Sequence, residues 1–81
     1  MKIYLISQEV NNGCDTYDSA VVVAPSPAKA KKIHPNQDAN PKDKYSLETW
    51  CKPEDVIVEY IGIARVGLKE GTVICASFNA G

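Results

Sequence analysis

Four short runs rich in β-branched and aromatic residues constrain this chain more than any other feature: KIYLISQEV (2–10), DSAVVVA (18–24), VIVEYIGIA (56–64) and TVICASF (72–78). Each has strand length, and each is bounded by residues that turn or break the backbone, so four strands are predicted. Asn11-Asn12-Gly13 lies between the first two runs and supplies residues that tolerate positive φ, which makes an antiparallel hairpin the simplest connection. The loop from Asn11 to Tyr17 is longer than a two-residue turn and is expected to protrude or carry a bulge. The apolar run Ile3-Tyr4-Leu5-Ile6 is continuous, which suits a strand buried on both faces. Strand order is open, although central neighbours are expected for the first and fourth runs.

Pro25-Ser26-Pro27 marks a change of state. Ser26 is a suitable N-cap and Pro27 suits the first helical position, where its missing N–H costs nothing. Lys29 stands where a capping box would need Glu or Gln. About two turns of helix are predicted from Ala28 to His34, stopped by Pro35, with Ala30 and Ile33 inward and Lys29 and Lys32 in water. Residues 35–46, PNQDANPKDKYS, hold two prolines and no periodicity and read as a long loop. Leu47 and Trp50 are expected to pin its far end to the core, Pro53-Glu54-Asp55 and Glu70-Gly71 to turn, and Gly62 to mark a bulge or a close approach. The order β-β-α-β-β indicates a small α+β domain, mainly a four-stranded antiparallel sheet with one short helix on a face.

With 81 residues the chain suffices for a single domain, expected to span 1–81. Hydrophobic residues are 44% and charged residues 23%, which argues against disorder. So short a chain buries a modest fraction of its surface and is expected to be marginally stable unless something staples it or it forms a homo-oligomer. Cys14, Cys51 and Cys75 are odd in number and widely spaced, so reduced thiols and a cytoplasmic location are expected. No apolar run approaches the roughly 20 residues of a membrane helix, and the N-terminal run is short for a signal peptide. Net charge is −1 but uneven: Lys29, Lys31, Lys32, Lys42 and Lys44 form a basic stretch between two acidic ones. A nucleic-acid binder would show a stronger bias.

Each chemical grouping competes with a plainer reading. Asp15 and Asp18, with Glu9, are carboxylates near one end of the hairpin, suited to acid–base work or a hard cation. Asp beside a turn more often bonds nearby backbone, and the spacing matches no calcium loop. Cys14, Cys51, Cys75 and His34 lack the close pairs of a zinc site, so no metal or cofactor is implied. Cys75, inside an apolar run, is expected to be a buried small hydrophobe. Cys14 in an exposed loop has what a reactive thiol needs, yet a lone histidine makes a small hydrolase the weaker reading. His34 also suits a helix C-terminus. The basic stretch from Lys29 through Lys32 to Lys44, with Tyr45 and Trp50 nearby, suits a nucleic-acid backbone or an acidic protein, or is a plain solvated helix face and loop, which is the favoured reading.

The blocks DTYDSAVVVA, KIHP, the isolated Trp50, EYIGIA and VICASFNAG resemble a family of short proteins of unassigned activity encoded by bacteria and their phages. The resemblance covers most of the chain. Cys14 stands where that family often has an aromatic residue, and Lys29 and Lys31 where its helix is usually more acidic. It implies a phage accessory protein in the cytoplasm of a bacterial host, acting without catalysis on a host or phage macromolecule, with an anti-defence role among the implied ones. The expected contact surfaces are the Asn11–Ser19 and Pro35–Tyr45 loops, and the expected contact residues are Cys14, Asp15, Tyr17, Asp18, Lys29, Lys32, His34, Tyr45 and Trp50. The alternative is a small phosphate-bearing, nucleotide-like ligand held at the Ser26 helix start or between subunits.

Overall fold

A computed structural model of the chain describes residues 1–37 and 44–80, with side chains for all of these except 44–46. Four strands, β1 (Lys2–Ser7), β2 (Thr16–Ala24), β3 (Ile57–Ile63) and β4 (Val73–Asn79), form one antiparallel sheet in the order β3-β1-β2-β4. Two short helices, α1 (Pro27–Ala30) and α2 (Lys44–Thr49), and a 3-10 turn over Pro53–Asp55 complete a small α+β architecture. No helix among the described residues is long and apolar enough to cross a membrane.

The hairpin forms as predicted, with β1 and β2 paired from Lys2↔Ala24 to Ser7↔Ser19. The central pair is therefore β1 and β2, and β4 is an edge, against the expectation that the first and fourth strands are neighbours. The local hairpin claims the centre, and the small residues Cys75, Ala76 and Ser77 give β4 little to bury on either side. A register shift opposite Ile3 and Tyr4 places a bulge in β3 beside Gly62, as predicted. Positive φ falls on Asp15 (59°) instead of on Asn11, Asn12 or Gly13. Gly71 has φ 90° in the turn before β4, a conformation that costs any L-residue with a Cβ.

Ser26 caps α1 as expected: its backbone is extended and its Oγ accepts from the Lys29 N–H at 3.3 Å. The helix is only four residues long, against the seven predicted from Ala28 to His34. Lys32 and Ile33 bond back to Lys29 and Ala30, three residues earlier, and this tightening ends the helix. Pro35 disfavours a helical His34. His34 therefore lies beyond the helix instead of at its C-terminus. Residues 38–43 of the predicted 35–46 loop lie outside the described residues, but its end belongs to α2, which the lack of periodicity concealed.

One face of the sheet carries the core. Tyr4, Ile6, Ala20, Val22 and Ala24 pack with Ala30, Trp50, Cys51 and Val56, joined by the half-buried Tyr17, Ile33, Val58 and Val73. Trp50 anchors this layer as expected, whereas Leu47 is half exposed. The strand β1 is not buried on both faces: Tyr4 and Ile6 are buried, while Ile3 and Leu5, pointing the other way, are only half-buried. Cys75 is exposed, contrary to the buried position predicted for it, because β4 is an edge strand.

Candidate functional site

Gln8, which the sequence did not single out, organises the hairpin end of the molecule. It is buried at the end of β1, where its amide Nε2 donates to the carbonyls of Asn11 (2.7 Å) and Tyr17 (2.9 Å). Its Oε1 accepts from the N–H groups of Val10 (2.9 Å) and Asn11 (2.8 Å). Both donors and both lone pairs are thereby used, which makes the burial of this polar group tolerable. Asn11 carries the same logic across to α2: its Nδ2 donates to the carbonyls of Glu48 and Trp50, each at 2.9 Å. The far side is held by the Asp15 N–H donating to the Asn79 carbonyl (2.7 Å) and by Thr16 Oγ1 donating to Gly13 O (2.7 Å). The loop is a fastened one.

Tyr17 belongs to β2 instead of the loop tip, and is half-buried. Its ring packs edge-on against Phe78 (4.7 Å between centroids) and His34 (5.8 Å), and His34 in turn lies 6.4 Å from Trp50. Four ring systems thus run in line across the helical side of the sheet. His34 Nδ1 accepts from the Asn36 N–H at 2.9 Å, so in the neutral ring the proton sits on Nε2 and points to Thr49 Oγ1, 3.3 Å away. Trp50 is buried, and its Nε1 has no hydrogen-bond partner among the described residues.

Two adjoining clefts open beside this line. The first, about 140 Å³, is walled by Lys31, Lys32, Ile33 and His34 on one side and by Leu47, Trp50, Cys51 and Pro53 on the other. The second, about 270 Å³ and shallower, shares Leu47, Trp50 and Cys51 and extends to Val10, Asn11, Lys52, Glu54 and Asp55. Leu47 and Val10 stand exposed at their rims. Burial, and after it the negative charge of Asp55, pushes the Cys51 thiol up to about 11, so it is held as a neutral thiol.

Of the contact residues expected from the sequence, the fold gathers Tyr17, Lys32, His34 and Trp50. Lys29 is exposed on α1 outside the lining of either cleft, and the Tyr45 side chain lies outside the described residues. Cys14, Asp15 and Asp18 are exposed at the hairpin end, where Asp18 Oδ1 accepts from Ser19 Oγ at 3.4 Å. No three His, Cys, Asp or Glu side chains come together as a metal site among the described residues. The residues missed, Gln8 and Asn11, signal only as polar side chains next to a strand end, which many solvated loops also show. Comparison with protein families, with curated proteins and with solved structures finds no match to this chain.

Proposed function

We propose that this protein acts by binding another protein, through the strip that runs from the Asn11 loop over Leu47 and Trp50 to Lys31 and Lys32. One observation carries the reading: two clefts share an apolar floor at Trp50, and Leu47 and Val10 are left 52% and 63% exposed at their rims. An apolar centre with a charged border of Lys31, Lys32, Lys52, Glu54 and Asp55 is the usual anatomy of a protein-binding patch. The clamps made by Gln8 and Asn11 hold the loop before any partner arrives, which lowers the ordering cost of association. The sequence resemblance to phage-encoded proteins makes a host or phage protein the partner to seek, and an anti-defence role is one such use. The test is affinity capture from host lysate with the wild type and with Leu47→Lys and Val10→Asp variants shown to be folded. Loss of specific partners in both variants is expected; partners retained by both would refute the assignment of the strip.

A small anionic ligand is the second reading, favoured by Lys31, Lys32 and His34 on one wall of the first cleft. At about 140 Å³ that cleft suits a phosphate-sized group and is below the roughly 300–1,000 Å³ of ordinary ligand pockets. The Ser26 helix start is a poorer place, since Ser26 Oγ already accepts from Lys29 and the helix is one turn long. Thermal shifts with inorganic phosphate and nucleotides, abolished by Lys31→Ala with Lys32→Ala, are the expected result of this reading.

A further inference from the structure

We propose that the face of the sheet turned away from the helices is a docking surface for a second copy of this chain. The register lays out that face in rows. Ile57, Ser7, Ser19 and Ser77 form one row across all four strands, and Glu59, Leu5, Val21 and Cys75 form the next. Ile3 and Val23 continue it, and alternation along β3 carries the same face to Ile61 at the bulge. Both helices pack on the other side, and Ile57 and Ile61 are each 51% exposed. The Val23 corner is not open: the Val23 side chain is fully buried, and its backbone donates to the Thr72 carbonyl and accepts from the Gly71 N–H, each at 2.9 Å.

The size of this face fits a dimer. Strands about 4.8 Å apart and same-face residues about 6.8 Å apart give the open part of the face, without the Val23 corner, a footprint of roughly 330 Å², or on the order of 500 Å² once side-chain relief is included. Two copies then bury about 1,000 Å² together, the size of a weak dimer that dissociates on dilution. The charge pattern selects the occupant. Among the residues of these rows Glu59 is the single charged one, and it lies on the edge strand β3. A partner for such a face must itself be four strands wide and nearly uncharged, and a second copy of this chain supplies that surface. With the two-fold axis along the strands, β3 of one copy lies over β4 of the other. Ile57 of each copy then lies over Ser77 of the other, and Glu59 lies over Cys75 at each rim, its methylenes covering the thiol while its carboxylate reaches water. The clefts of the proposed binding strip stay outward on both copies, so the two surfaces are independent.

The thiols provide the test, since Cys75 lies on this face and Cys14 lies off it, both exposed. Sedimentation velocity of the full chain is expected to show twice the chain mass at high concentration and the monomer on dilution. Over the same range N-ethylmaleimide labelling of Cys75 is expected to slow about tenfold where the dimer is nine-tenths populated, while Cys14 labelling stays constant. Leu5→Lys should give a monomer whose Cys75 reacts at every concentration. Ser77→Lys, which removes no apolar contact, serves if Leu5→Lys does not fold. A monomer at all concentrations overturns the proposal, and so does a dimer in which Cys75 reacts as freely as Cys14, as pairing through the β3 edge would give.

Discussion

The two faces of one sheet differ in what covers them, although the strands that build them are the same. Ile6 and Leu5 are neighbours on β1, similar in size and hydrophobicity. Ile6 is fully buried beneath Trp50, Cys51 and Val56, whereas Leu5 is half-buried on a face that no described helix reaches. The polar ends differ as well: the helical side satisfies Gln8 completely and forms clefts, and the open side ends in a row of serines, Ser7, Ser19 and Ser77. Hydrophobicity alone therefore does not define the core; the element packed above each residue does.

That contrast is broken first at Trp50. Trp50→Ala is expected to cost about 3–5 kcal/mol in urea unfolding, because it empties the centre of the covered face. Ile6→Ala is expected to cost about 2–4 kcal/mol, and Leu5→Ala, measured in dilute solution, less than half as much; equal costs would show that both faces are covered in the monomer. Gln8→Ala should cost about 1–3 kcal/mol by leaving buried backbone groups of the loop unpaired, and should raise hydrogen exchange at Val10 and Asn11.

Cys51 adds a pH test of the covered face. Its thiol is ordinarily near 9.0 and is raised to about 11 in the fold. Between those values the unfolded chain releases a proton that the folded chain retains, so stability should be intact below pH 9 and fall as pH rises toward 11. Cys51→Ser should remove that dependence, and maleimide at neutral pH should modify Cys14 and Cys75 well before Cys51. The smallest effect is expected at Asp15, whose φ of 59° is left-handed: Asp15→Gly should change stability by a few tenths of a kcal/mol, read by thermal denaturation.

Much of the fold was legible locally. The four apolar runs, the Ser26 cap, Pro27 at the first helical position, the Gly62 bulge and the Gly71 turn each rest on the chemistry of a few adjacent residues, and each stands in the structure. The readings that failed depended on distant partners. The length of α1 depended on where its chain turned back, and α2 left no periodic trace in six residues. The site was half legible: Trp50 and Tyr17 stand out as large aromatic residues, whereas Gln8 becomes important only because the carbonyls of Asn11 and Tyr17 reach it.

By itself the sequence determined that this chain makes a hairpin, a capped turn of helix and two further strands, because propensity and turn chemistry act over a few residues. The tertiary structure alone decided that β1 and β2 take the centre, that Cys75 lies at an exposed edge, and that His34 stands between Tyr17 and Trp50. It also decided which of two similar apolar faces became the core. Alternation along a strand specifies that two faces exist, and only the packing of helices against one of them removes it from water.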